Sequence, residues 1–210
     1  YDKQKEVYTV KKDGLHFFLM KQLQYNIYRT FKVVQADRNR IIKQTFNLLN
    51  DRFPKIVVRT DISKFYESIP QDKLFELINN NTLLSPLSRK FLKRIFHEFN
   101  KIKDNSIIEP NKGIPRGLGI SAYLSELYMR NLDEEIKSLP DIIYYARYVD
   151  DIIAIFSPKT KSSKKDYILE LKDLIKKYEL DINDNLDGRK NKTNVIDLLV
   201  NPIKKIQLFE

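Results

Sequence analysis

The sequence predicts an α+β protein in which an antiparallel sheet packs on helices. Three observations carry that class. Two runs rich in β-branched and aromatic residues, IIYYARY and IIAIF, enclose Val149-Asp150-Asp151 and read as a tight β-hairpin. An earlier apolar run, KIVVRT over Lys55 to Thr60, reads as a strand that ends in Asp61. Around and between these lie stretches with helical rather than alternating periodicity, and strands interrupted by helices about an antiparallel hairpin give α+β.

Residues 1–13 are polar and charged and are expected to fray. From Gly14 the spacing predicts a helix with Leu15, Phe18, Leu19, Leu23 and Ile27 on its apolar stripe. A second helix follows Asp37, with Ile41, Ile42, Thr45, Phe46 and Leu49 facing a core and Arg38 and Arg40 at its beginning. After Asp61, a short helix is expected over Pro70 to Asn80, and Ser85-Pro86 opens another that reaches Lys103. Its predicted stripe is Leu87, Phe91, Ile95, Phe99 and Ile102, with Arg89, Lys90, Lys93 and Arg94 mainly elsewhere. Residues 104–113 form a loop or hairpin tip. Ile120 to Leu139 is helical, with Ile120, Leu124, Leu127, Leu132, Ile136 and Leu139 inward and Pro140 as its stop. Beyond the hairpin, Ser162 or Ser163 caps a helix repeating at Tyr167, Leu171, Leu174, Ile175 and Tyr178. Turn-rich NDNLDGRKN then leads to β-like TNVIDLLV.

With 210 residues, 42% of them hydrophobic, the chain can bury one sizeable core or two small subdomains. Its 38 Lys and Arg against 28 Asp and Glu leave a formal charge of +10, which suits a polyphosphate partner bound through counterion release. The absence of cysteine excludes a disulfide framework and a Cys-based zinc site, and two histidines are too few for a His-rich one. No apolar run approaches the ~18 residues of a membrane span and no signal core is present, so a cytoplasmic protein without a membrane partner is expected. The chain starts at Tyr1 rather than Met, so a longer parent is expected.

The chemistry rests on acids. Two carboxylates about 4 Å apart repel by roughly 4 kcal/mol at an effective dielectric near 20. If Asp61 lies beside Asp150 and Asp151, three such groups share one site, and a hard divalent cation relieves the repulsion. Mg²⁺ takes oxygen ligands, keeps waters and accepts substrate phosphates. That set suits two-metal phosphoryl or nucleotidyl transfer.

Asp61 with an aromatic five positions on, the segment GIPRGLGISAYLSE from Gly113 to Glu126, and YVDD at Tyr148 to Asp151 follow one another in the order and approximate spacing of a reverse transcriptase palm. The chain resembles that family from about Tyr28 to Thr193. The resemblance implies a right-hand polymerase with its fingers and palm: helices and fingers over 1–54, palm over 55–70, a helical insertion over 71–112 and palm again over 113–210. It implies RNA or DNA and a dNTP as partners, and two Mg²⁺, replaceable by Mn²⁺, on Asp61, Asp150, Asp151 and the backbone carbonyl of Ile62. Tyr66 becomes a sugar gate that excludes ribonucleotides, with Phe65 as its competitor. Arg38 and Arg40 become candidates for the incoming triphosphate. Tyr148, Gly113 and Ser121 fall to primer and template, and Gly117 to nucleotide. Lys192 resembles the lysine that protonates departing pyrophosphate, a step worth about 10²–10⁴-fold.

This sequence departs from the family where Pro115-Arg116-Gly117 replaces Pro-Gln-Gly, Ala122 replaces a proline and Glu126 an asparagine. Arg116 thus sets a cation where an amide normally seats nucleotide and template. The variant looks most like the bacterial phage-defence and abortive-infection reverse transcriptases, some of which work without a template or prime on protein. A retron or group II intron-type enzyme copying RNA, and a non-catalytic palm scaffold that binds nucleic acid, are the alternatives. No helical thumb follows the last motif, so the grip on a duplex is expected from a further C-terminal segment or a partner subunit. The oligomeric state is open.

Overall fold

In a computed structural model of the chain, the described residues are 7–10, 13–51, 53–80, 84–158, 166–183 and 193–198. They form two compact units: residues 1–35 with 64–130, and residues 36–63 with 131–210.

The first unit is helical. Helix α1, Gly14–Phe31, starts where the Asp13 side chain accepts the amide of His16 and ends at Lys32 in the left-handed region, φ 49°. Helices α3, Phe65–Ser68, α4, Gln71–Asn80, and α5, Pro86–Ile102, follow, with the first part of α6, Ser121–Lys137. Ser85 caps α5 and Pro86 supplies its first turn, as the sequence predicts. Two predicted stripes are corrected. Helix α1 buries Met20, Leu23, Ile27 and Phe31, whereas Leu15 and Phe18 stay about 70% exposed (68% and 70%). Helix α5 buries Ser88, Leu92, Phe96 and Phe99 and leaves Leu87 and Ile102 outside. Apolar residues occupy adjacent stripes of both helices, and the wedge of Phe75 against Phe96, ring centroids 5.0 Å apart, selects the second one in α5.

The second unit holds all four described strands in the order β2-β3-β1-β4, every neighbouring pair antiparallel. They are β1, Ile56–Asp61, β2, Ile142–Tyr148, β3, Asp151–Phe156, and β4, Asn194–Asp197. Alternation divides each strand between two faces. On one face Val57 and Ile155 pack with Leu49 of α2, Arg38–Leu49, and with Tyr144, Ile153 and Ile196 around them. The other face carries Val58, Ile152, Ala154 and Phe156, and Phe156 stacks on Tyr167 of α7, Tyr167–Lys177, at 4.2 Å. The end of α6 adds the buried Leu132 and Ile136, as expected from its spacing. Asp166 caps α7; Ser162 and Ser163 lie outside the described residues.

Candidate functional site

The carboxylates arrive by register. Residue by residue, β1 runs antiparallel to β3 from Ile56 opposite Phe156 to Asp61 opposite Asp151. Directly opposed residues project to the same face with Cα atoms about 4.5–5.5 Å apart. Beyond the last pair, the Ile62 amide donates to the Asp150 carbonyl at 3.0 Å, and the Asn183 amide donates to the Asp61 carbonyl at 2.9 Å. Asp61 is 3% exposed, while Asp150 and Asp151 are half-buried. The structure therefore brings the two acidic segments together, as a cross-strand pair with Asp150 beside it on the turn. Among the described residues, no three acidic or histidine side chains close into a ready-made metal cage. The donors are nonetheless all hard oxygens and Asp151 borders open space, which suits Mg²⁺, an ion that keeps waters and takes phosphate ligands.

The turn itself is strained. Between Tyr148 and Asp151 only Val149 and Asp150 remain, and Val149 sits at φ 58°. A two-residue hairpin with positive φ at its first position normally places glycine there, and a β-branched residue costs roughly 1–2 kcal/mol in that region. Arg147 offsets the cost. Its Nη1 donates to the Val149 carbonyl at 2.8 Å, its Nε and Nη2 donate to the two oxygens of Asp133 at 2.9 and 2.8 Å, and the Tyr145 hydroxyl donates to Asp133 Oδ1 at 2.7 Å. Burial, reinforced by the Asp133 charge, pushes the Tyr145 hydroxyl well above its ordinary pKa. Although charged, the Arg147 side chain is only 3% exposed. An arginine inside an apolar strand was the available signal.

A cavity of about 430 Å³ opens between the first half of α2 and the acidic face of the sheet. Arg38, Arg59, Tyr148 and Asp151 line it, with Ile41, Ile42 and Ile153 as its apolar flank. Arg38 thus shares the cavity with Asp151, whereas Arg40 is exposed and does not line it. Arg59, unnoticed in the sequence, stands on the face of Asp61 two residues earlier in the strand. The first half of α2, whose N-terminus Asp37 caps, runs along this cavity.

The remaining candidates belong to the first unit. Phe65 is 2% exposed, and Tyr66 is half-buried, so burial separates the two contenders for the gate. Arg116 binds internally: Nη2 donates to Glu67 Oε1 at 2.8 Å, and the guanidinium lies 5.1 Å from the Tyr66 ring centre. Ser121 is buried and its hydroxyl donates to the Pro115 carbonyl, so it shapes the loop that bears Arg116. Gly113 and Gly117 have φ of 88° and 98°, and a Cβ on Gly117 would come within 2.9 Å of the Tyr8 carbonyl. Their close approaches are to protein. Lys192 lies outside the described residues.

The sheet sets the hairpin's aspartates beside one on the adjacent strand, the arrangement that the sequence leads one to expect of a polymerase palm. Residues 9–185 match the family described as reverse transcriptase (RNA-dependent DNA polymerase), and the chain belongs to that family. A telomerase structure from Candida albicans, in complex with a fragment of telomeric RNA, has a similar fold: TM-score 0.54, 14% identity, 91% of this chain covered. The chain spans 35% of that protein's length. No curated protein matches it significantly. The α+β class and the reverse transcriptase fold expected from the sequence are thereby established. Among the described residues, no helix is long and apolar enough to cross a membrane.

Proposed function

We propose that this chain is the nucleotidyl-transfer core of a reverse-transcriptase-like DNA polymerase. The observation that carries the reading is the register that sets Asp61 opposite Asp151 and ties Ile62 to Asp150. In the reaction a primer 3′-hydroxyl gives up its proton and attacks the α-phosphorus of a dNTP; a new P–O bond forms, and the bond to pyrophosphate breaks. Asp61, Asp150, Asp151 and the Ile62 carbonyl would hold two Mg²⁺, and these would supply charge neutralisation at the attacking and leaving oxygens. Arg38 and Arg59 meet the phosphates in the adjoining cavity, whose lining supports that role. Arg147 fixes the turn bearing Asp150. Tyr66 serves as the sugar gate and Lys192 as the acid for pyrophosphate, as the resemblance implies.

The finer placement is with the bacterial phage-defence enzymes. Arg116 and Glu126, in place of the family's glutamine and asparagine, support it. Incorporation of dNTPs by the full-length protein, with and without defined RNA templates and followed by sequencing, tests the whole reading. Mg²⁺-dependent incorporation that Asp150→Ala abolishes without unfolding is expected, and full activity in that variant refutes the site. Products faithful to added RNA favour the retron or intron-type alternative over template-independent synthesis.

A further inference from the structure

Helix α3 spans only Phe65–Ser68, and it is entered through Lys64 at φ 45° without a side-chain cap. A single helical turn has no stability of its own, because nucleation is unfavourable and propagation never begins. Whatever fixes the Tyr66 ring must come from outside the turn.

The loop at residues 113–117 supplies it. The Ile114 amide donates to the Tyr66 carbonyl at 2.8 Å, and the Gly113 amide donates to the Ile69 carbonyl at 2.8 Å. At Gly113 a Cβ would sit 3.4 Å from the Glu67 carbonyl oxygen, so loop and turn are in van der Waals contact. Arg116 is anchored at its backbone, where its carbonyl accepts the Tyr8 amide at 2.7 Å. From there its side chain reaches two neighbouring residues that a helix projects in different directions. Nη2 grips both oxygens of Glu67, at 2.8 and 3.2 Å, and the guanidinium plane approaches the Tyr66 ring at 5.1 Å. The Phe65 ring meets Tyr66 edge-on at 5.4 Å. The pair is sheltered, with side chains 22% and 17% exposed. A cation held by a carboxylate cannot drift from the aromatic face it covers, and only an arginine can serve both partners through one planar group.

We propose that Arg116, locked by Glu67, is a positioning residue that holds Tyr66 in the orientation which discriminates deoxyribose from ribose. The inference rests on the polymerase reading and on Tyr66 as the gate. Arg116 acts on the nucleotide through the tyrosine rather than by touching it.

The test measures kcat/KM for a dNTP and for the matching rNTP with the full-length protein. Wild type, Arg116→Gln, Arg116→Lys, Glu67→Gln and Tyr66→Ala are compared, and each is also crossed into the Tyr66→Ala background. Arg116→Gln and Glu67→Gln are expected to lower the dNTP preference about tenfold, the scale of a sheltered cation–π contact. In the Tyr66→Ala background they are expected to change the preference no further. Melting temperatures measured alongside identify general unfolding, which lowers both activities and leaves their ratio alone. An unchanged ratio in a folded Arg116→Gln, or an equal change with and without the Tyr66 ring, overturns the inference while wild-type activity keeps the polymerase reading standing. A wild type that incorporates neither nucleotide overturns that reading and the inference with it.

Discussion

Arg147 and Arg116 both pair with an acid, in different units of the chain and in different settings. Arg147 uses Nε, Nη1 and Nη2, grips Asp133 with two nitrogens and is 3% exposed. Arg116 uses Nη2 alone, and its Nε is buried without a hydrogen-bond partner among the described residues. The first pair underlies a strained turn, while the second lies against an aromatic ring. A fully engaged fork makes a rigid brace, and one held through Nη2 alone is fixed against the ring it covers. Geometry rather than charge count separates a stability element from a specificity element.

The comparison can be broken by denaturation. Arg147→Ala takes the guanidinium from the half-buried Asp133 and the donor from the Val149 carbonyl, and is expected to cost about 3 kcal/mol in urea unfolding, the low end for breaking a buried pair. Arg116→Ala should cost about 1–2 kcal/mol, because its pair makes fewer bonds and is better solvated. Equal losses would erase the distinction. The strain beneath Arg147 can be read separately through Val149→Gly. Relief of the positive φ is worth roughly 1–2 kcal/mol and the entropy of glycine takes back about 0.5–1, so a net gain of about 0–1.5 kcal/mol is expected. A loss of stability would mean that the turn is not strained.

The smallest effect is a pH dependence. Burial first, and the Asp133 carboxylate second, raise the Tyr145 pKa in the folded state above the value near 10 of an unfolded chain. Below about pH 10 the hydroxyl is neutral in both states and contributes nothing to the slope. As pH climbs past that value the unfolded chain loses the proton and the folded chain keeps it, so stability declines. Tyr145→Phe should flatten the decline, measured as urea midpoints between pH 9 and 11; an unaltered slope assigns it to other groups.

Much of this was legible before coordinates. The hairpin announced itself by β-branched arms around YVDD, and α6 by a stripe whose Leu124, Leu132 and Ile136 are all buried. Periodicity fixes that a helix exists but not which of two adjacent apolar stripes faces inward, which is why Leu87 and Phe18 were misassigned. Asp133 sits in the run Asp133-Glu134-Glu135, and nothing local distinguishes the acid that meets Arg147 from its neighbours. The burial that sets Phe65 apart from Tyr66, and the cavity lining that sets Arg38 apart from Arg40, come only with the packed fold. Arg59 looked like an ordinary polar position of an alternating strand until β3 gave its face an identity.

The central claim is that acids from two remote stretches hold the same cations. Mn²⁺ binding to the full-length protein with dNTP, followed by electron paramagnetic resonance for wild type, Asp61→Asn, Asp151→Asn and the double variant, addresses it most directly. Shared ligation requires each single change to weaken binding by about tenfold or more and the double change to fall short of the product of the two. Wild-type affinity in Asp61→Asn, or strictly multiplicative losses, would mean that the strands lie side by side without a common ion.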